Sequence, residues 1–178
     1  MIHPLSYERP HQPTLWPTSE PPLRFVLKLH QASNLHFDLR LEIDDMLLSW
    51  VLHERPSLNP AVRLRAVQVP HHSPKYMHSE RRIPEGQYGA GPTIVWECGT
   101  YAPLLLEDGS QTQALRRAYR FGRLEFELCG KKKLNGGWLL ERDGNLWSFS
   151  KLDDAFTSAG DPDWDDLSVL SGKSLDQI

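Results

Sequence analysis

Four side chains in one short span have the types and spacing to do chemistry: His30, His36, Asp38 and Arg40. Neutral imidazoles and a carboxylate ligate a borderline divalent cation such as manganese, iron or zinc. Arginine is permanently charged and offers a planar fork of donors that matches phosphate oxygens. A cation held beside an arginine is a combination suited to a phosphoryl group. The same residues also admit a purely structural reading, in which the histidines and Arg40 pair with Asp38 and Glu42 on a solvated face. Spacing alone leaves both readings open.

A strand must position them. From Leu35 to Ile43, apolar Leu35, Phe37, Leu39, Leu41 and Ile43 alternate with polar His36, Asp38, Arg40 and Glu42. Successive strand side chains point to opposite faces, so one face packs and the other displays the polar set. His30 ends a preceding strand-like run, Arg24 to His30, and Gln31 to Asn34 connects the two. Asp44-Asp45 signals a turn into a return strand, Met46 to Leu52. Arg65 to Val69 reads as a further short strand, followed by a loop from Pro70 to Pro74 that carries His71 and His72. Arg82 to Gly91 is a Gly-rich loop without the lysine of a nucleotide P-loop. Thr93 to Tyr101, Arg123 to Cys129, Gly136 to Arg142 and Leu146 to Lys151 complete the strands, with a hairpin turn at Asp143-Gly144-Asn145. Ser110 to Arg120 is the one convincing helix, with Ser110 as its N-cap. Lys131-Lys132-Lys133 reads as a solvated turn. Short strands roughly eight to twelve residues apart predict a mainly β fold, an antiparallel barrel or sandwich with one or two short helices.

The chain has 178 residues, enough for one domain with a substantial core. No apolar run approaches a membrane span, and no basic-then-apolar leader opens the sequence, so a cytoplasmic protein is expected. Cys98 and Cys129 are expected as reduced core thiols. The net charge of −3 argues against a protein that coats DNA generically. Charge is uneven, however. Arg24 to Arg82 holds nine Lys or Arg against six Asp or Glu, together with six of the eight histidines. Leu152 to Ile178 holds seven Asp against Lys173 alone. The predicted organisation is a Pro-rich arm over 1–23, a β-barrel domain over 24–152, and an acidic tail over 153–178 that packs on the domain or trails from it.

The run His30-Gln31-Ala32-Ser33-Asn34-Leu35-His36-Phe37-Asp38-Leu39-Arg40-Leu41-Glu42 closely resembles the motif of the 3′-phosphoesterase module of bacterial and archaeal DNA ligase D. The resemblance continues through Ser49-Trp50, Pro56 to Val62, Ala66 to Val69, Ile83 to Gly91, Val95-Trp96, Gly137-Trp138 and Trp147. Ser168 to Gly172 in the tail also resembles the family. Several motifs in the same order are far more specific than His-x-Asp alone. The resemblance implies a curved antiparallel β-barrel with its site in a polar groove. It implies an enzyme that trims DNA 3′ ends, removing a 3′-terminal ribonucleoside and then the 3′-phosphate to leave a hydroxyl that a ligase can use. Manganese is the implied cofactor, with zinc or cobalt as other divalent choices.

Carried over residue by residue, the resemblance makes His30, His36 and Asp38 metal ligands and Arg40 the holder of the scissile phosphate. It makes His72 a catalytic histidine and Tyr76 part of the phosphate site; His71 is a passenger, and His3, His11, His53 and His78 are surface histidines. Substrate contacts also fall on Lys28, where the family usually has Gln, and on Arg55, beside Glu54 where the family has lysine. A family arginine falls on Leu64, between Arg63 and Arg65, and a family glutamate falls on Pro70. Implied partners are DNA 3′ ends at primer-template junctions, 3′-ribonucleotide ends included, and a separate ligase and end-binding protein, since neither a ligase nor a polymerase module is seen in the sequence. Two readings from other classes compete: a non-catalytic DNA-end-binding or ligase-recruiting module, and an iron oxygenase using two histidines and one carboxylate.

Overall fold

The alternation of Leu35 to Ile43 becomes geometry in a hairpin. In the computed structural model, which describes residues 20–105 and 109–178, β2 (Leu35–Ile43) pairs antiparallel with β3 (Met46–Leu52). Asp44 turns the corner with a left-handed φ of 56°, a conformation that aspartate tolerates. β1 (Leu23–Gln31) flanks β2 on its other side, with Lys28 opposite Asp38 and His30 opposite His36. From β3 the sheet runs through β4 (Arg63–His72), β9 (Leu146–Lys151), β8 (Asn135–Asp143), β7 (Arg123–Gly130) and β6 (Gly91–Pro103). β6 then returns to pair with β1, so eight antiparallel strands close into a barrel. Closure leaves those strands without a free edge. The short β5 (Arg81–Ile83) adds to the start of β6. The expected mainly β barrel is the fold found; residues 1–19 of the Pro-rich arm lie outside the described residues.

The barrel encloses one buried cluster, in which Phe25, Leu27 and Leu29 of β1 and Phe37, Leu39 and Leu41 of β2 meet Trp50, Trp96, Phe126, Trp138 and Phe149. With inward positions apolar, strand alternation sends Lys28, His30, His36, Asp38 and Arg40 to the outside of the barrel. Among the described residues the single α-helix, α1 (Gln111–Phe121), opens with the Ser110 N-cap read from the sequence. The Gln113 N–H donates to Ser110 Oγ at 3.1 Å, and Gly122 closes the helix with a left-handed φ of 78°. The other helical pieces are 3₁₀ turns at Pro74–Tyr76 and Leu175–Gln177. Among the described residues no helix is long and apolar enough to cross a membrane.

Two expectations about local structure are corrected. Cys98 is buried but Cys129 is exposed. Lys131 and Lys132 are exposed, as a solvated turn requires, but Lys133 is buried and the backbone of the run wraps around the fully buried carboxylate of Glu97. Glu97 accepts backbone N–H groups from Cys98 at 2.8 Å, Lys131 at 3.0 Å, Lys132 at 3.0 Å, Leu134 at 3.1 Å, and from Lys133. Lys133 is itself buried, with its ammonium 4.9 Å from the centre of the Trp96 ring and 3.2 Å from Asp165. The sequence signal was misleading because a turn of successive N–H groups makes an anion cradle whatever its side chains are. Replacing Glu97 by alanine strands several buried donors and is expected to cost about 3–5 kcal/mol of stability. Urea unfolding checks this; a loss below about 1 kcal/mol would mean that water satisfies the cradle equally well.

The tail packs along the domain. Trp164 stands edge-on to Trp96 at 5.5 Å, the Val169 N–H donates to the Val95 carbonyl at 2.9 Å, and Ser168 bonds Glu80. Val169 joins a small outer cluster of Val26, Leu47, Met77, Val95 and Cys98. This cover fixes the elements beside the polar face of β1 and β2.

Candidate active site

His30, His36 and Asp38 each turn a ligand-type atom toward the others, all within 4.8 Å. The ring tautomers follow from the backbone. His30 Nε2 lies 2.8 Å from the carbonyl oxygen of Gly89, and His36 Nδ1 lies 3.0 Å from that of Asn34. A carbonyl only accepts, so both of those nitrogens carry protons. The opposite nitrogens, His30 Nδ1 and His36 Nε2, are left as lone pairs facing Asp38 at 3.7 and 3.4 Å. Three electron-rich atoms converge with no hydrogen between them when the imidazoles are neutral. Such an arrangement calls for a positive charge, a proton or a metal ion. An imidazole whose other nitrogen donates to a backbone carbonyl is also the usual arrangement of a metal ligand. The donor set therefore fits the divalent cation that the resemblance implies.

The electrostatics agree. The hydrogen bond to Asp38 raises the His36 pKa above its ordinary 6.5, against the effect of burial. Burial opposes the charge of Asp38, yet the two imidazoles and the Arg40 charge outweigh it and hold the carboxyl well below the usual carboxylate range.

Arg40 sits two residues along β2 and is 8% exposed. Its Nη2 donates to Asp38 Oδ2 at 3.2 Å, while its buried Nε has no hydrogen-bond partner. A buried unmet donor costs about 1–3 kcal/mol unless something supplies an acceptor. Lys28, across the β1–β2 register from Asp38, is 2% exposed and donates to the Tyr76 carbonyl at 3.3 Å and to Ser79 Oγ at 3.2 Å. Burial, helped by the nearby Arg40 charge, pushes its pKa down to about 7.

His72 reaches this face by an unexpected route. It ends β4 rather than sitting in a loop between prolines. Ser49 pairs with Val69 but Leu47 pairs with His72, so β4 holds one more residue than β3 over that stretch. This bulge absorbs Pro70, which has no N–H to give a ladder, and re-aims the residues after it. His72 Nδ1 lies 3.0 Å from Ser49 Oγ, and Ser49 is the cross-strand partner of Arg40. His72, Ser49, Arg40 and Asp38 thus stand on adjoining strands. Burial, then the Arg40 charge, lowers the His72 pKa below 6.5, with Asp38 partly opposing. The fold favours the neutral ring, so its contribution to stability is complete above pH 6.5 and is lost as pH falls through the lower folded value. An NMR titration of the metal-free protein should give His72 a midpoint below 6.5; a midpoint at or above it would contradict the burial.

Tyr76 belongs to the 3₁₀ turn over Lys28, its ring between the cations of Lys75 at 4.8 Å and Arg81 at 5.4 Å. Arg55 is not brought to the cluster: its guanidinium donates to Asp166 at 2.7 Å and to the Trp164 carbonyl at 3.2 Å. Leu64 is buried in β4, while flanking Arg63 bonds Ser148 at 2.9 Å and Glu141 at 2.6 Å. Two contributors carry no readable signal of their role: the Gly89 carbonyl has no side-chain signature, and Ser49 stands in the sequence only as part of the Ser49-Trp50 motif. His53 is exposed, as expected of a surface histidine, with its ring 6.5 Å from that of His36.

The fold and this cluster define a β-barrel protein that displays ligand-type side chains, backed with buried cations, on the outside of the sheet. Comparison with known proteins narrows the class. The model of the DNA ligase D 3′-phosphoesterase domain matches residues 28–142, and the chain belongs to that family. It is 44% identical over 120 residues to the multifunctional non-homologous end joining protein LigD of Pseudomonas aeruginosa, an alignment covering 67% of this chain and 13% of that protein. It is 30% identical over 145 residues to the multifunctional non-homologous end joining DNA repair protein LigD of Mycobacterium tuberculosis, covering 79% of this chain and 19% of that protein. The chain therefore spans less than a fifth of the length of these relatives.

Proposed function

We propose that this domain processes DNA 3′ ends at primer-template junctions. It removes a 3′-terminal ribonucleoside and then the 3′-phosphate, leaving a hydroxyl for a ligase. The observation that carries the reading is the convergence of the His30, His36 and Asp38 lone pairs beside an Arg40 with an unmet buried donor. His30, His36 and Asp38 would hold a divalent cation, manganese before zinc or cobalt. When bound, it supplies Lewis-acid stabilisation of charge on the phosphoryl oxygens.

Arg40 binds a non-bridging phosphate oxygen through its free Nε–H, a charge-assisted contact in a partly dry site. His72 is anchored on Ser49 through Nδ1, and in its protonated form it supplies the proton that the leaving oxygen takes up. Tyr76 and Lys28 line the same side, and Lys28 adds charge next to Arg40. Partners consistent with this reading are a ligase and an end-binding protein, in keeping with the end-joining names of the relatives. The test is a manganese-dependent assay on primer-templates ending in a 3′-phosphate or a 3′-ribonucleoside. Turnover of both with conversion to 3′-hydroxyl supports the reading. End binding without turnover would instead favour a non-catalytic recruiting module.

A further inference from the structure

We propose that Tyr88 is a stacking platform for the base of the nucleoside whose 3′-oxygen carries the scissile phosphate; the inference rests on the end-processing reading above. Tyr88 is 97% exposed, although it lies one residue from the carbonyl that orients His30. A large ring left wholly in water forgoes about 1.5–3 kcal/mol of burial. The loop that presents it is not loosely built. The Gln87 N–H donates to the Pro84 carbonyl at 3.3 Å and the Ala90 N–H to the Gln87 carbonyl at 3.1 Å. Gly91, at φ 133°, lies so close to the end of β1 that a Cβ there would come within 1.8 Å of the Gln31 carbonyl oxygen. Gly89, at φ 73°, would bring a Cβ to 3.3 Å from His30 Cε1. The loop is thus pinned to the end of β1 twice, at Gly89 against His30 and at Gly91 against Gln31, and Tyr88 stands immediately before the first pin.

Reach follows from this. Consecutive Cα atoms are about 3.8 Å apart, so the Tyr88 Cα lies on the order of 9 Å or less from the His30 ring. A tyrosine ring on that Cα spans the distance from a bound phosphate to the base attached to it. The Lys28 side of the cluster is covered and charged. The Tyr76 turn and Ser79 cover Lys28, and the exposed cations Lys75 and Arg81 stand on the Tyr76 ring, where they suit the phosphate backbone. The division resembles single-strand recognition in general, with cations tracking the backbone and an aromatic ring accepting a base face. Every base has such a face, so the contact is indifferent to sequence, as an enzyme acting on arbitrary ends requires.

The experiment uses the whole chain with manganese and 3′-phosphate primer-templates, whose terminal nucleoside carries either an ordinary base or none. Tyr88→Ala should raise KM about tenfold or more on the ordinary end with kcat little changed, whereas Tyr88→Phe stays within about twofold. On the abasic end Tyr88→Ala and the unmodified chain should coincide, because the partner face is already gone. A terminal 2-aminopurine should be quenched on binding to the unmodified chain and to Tyr88→Phe, and not on binding to Tyr88→Ala. An equal loss on ordinary and abasic ends overturns the proposal, as does an unchanged KM for Tyr88→Ala. A fall in manganese affinity in Tyr88→Ala also overturns it, since the residue would then act through the loop and His30. If the unmodified chain quenches 2-aminopurine in a Tyr88-dependent way but hydrolyses nothing, stacking stands and the catalytic reading falls. If it neither quenches nor hydrolyses, both fall.

Discussion

Replacing Arg40 by alanine is expected to slow hydrolysis of both 3′-phosphate and 3′-ribonucleoside ends by about a hundred-fold or more, which is about 3 kcal/mol of transition-state stabilisation. Both steps pass through a phosphoryl group whose equatorial oxygens gather charge, and Arg40 is the permanently charged donor on that face. Its position is stiff. The side chain is 8% exposed, and it is held on one side by Asp38 at 3.2 Å. The backbone of Arg40 faces Ser49, which in turn fixes His72. The unmet Nε–H means that a phosphate oxygen would find a donor already desolvated, so little reorganisation is spent in using it. Arg40→Lys should recover only part of the rate, because an ammonium keeps the charge but cannot reproduce the planar fork. Manganese affinity should not fall in Arg40→Ala, since removing a neighbouring positive charge favours a cation. The measurement is single-turnover rates on both substrates with saturating manganese. If either step runs near the unmodified rate, Arg40 does not hold the scissile phosphate.

How legible the site was depends on where its information resides. The β2 face could be read directly: a period-two pattern over Leu35 to Ile43 dictates which side chains face the core, and the barrel follows that division from Phe37 on, with Leu35 left exposed where the strand begins. His72 could be named by resemblance but not located. Pro70 argued for the end of a strand, and only the extra residue in β4 opposite Leu47 and Ser49 lets the strand continue through it. A bulge depends on two strands at once, so no single stretch announces it. The Gly89 carbonyl, which sets the His30 tautomer, is a backbone group and leaves no mark beyond a glycine in a loop rich in glycines. Arg55 shows the opposite failure. Its type and its place beside Glu54 suggested a substituted phosphate contact, yet Asp166 of the acidic tail takes its guanidinium. The tail lies 111 residues away in sequence, and such a pairing is settled by topology rather than by any local pattern.

Asp38→Asn should have the largest effect on the metal, and it should do so for a reason separable from stability. Asp38 faces His30 Nδ1 at 3.7 Å, His36 Nε2 at 3.4 Å and Arg40 Nη2 at 3.2 Å, so it is the one anion among these groups. An amide of the same shape supplies no charge to a cation. The loss of manganese affinity should therefore exceed the 10–100-fold that follows from losing a supporting partner of a ligand. Without metal, the same change leaves Arg40 buried with no carboxylate, a situation that typically costs about 3–5 kcal/mol. Lys28 faces a milder penalty, because its pKa of about 7 lets it shed its proton near neutrality, which Arg40 cannot do. The depressed Asp38 pKa fixes the pH window of this contribution. It is complete above the ordinary value of 3.8, is lost only as pH falls through the lower folded value, and so operates fully at neutral pH. The two effects come apart in a double substitution. Asp38→Asn with Arg40→Met removes the buried charge together with its partner and should recover most of the stability seen by denaturant unfolding. It should recover none of the manganese affinity seen by calorimetry. If Asp38→Asn alone binds manganese within a few-fold of the unmodified chain, the carboxylate is not a ligand, and the cluster is an ion-paired strand face after all.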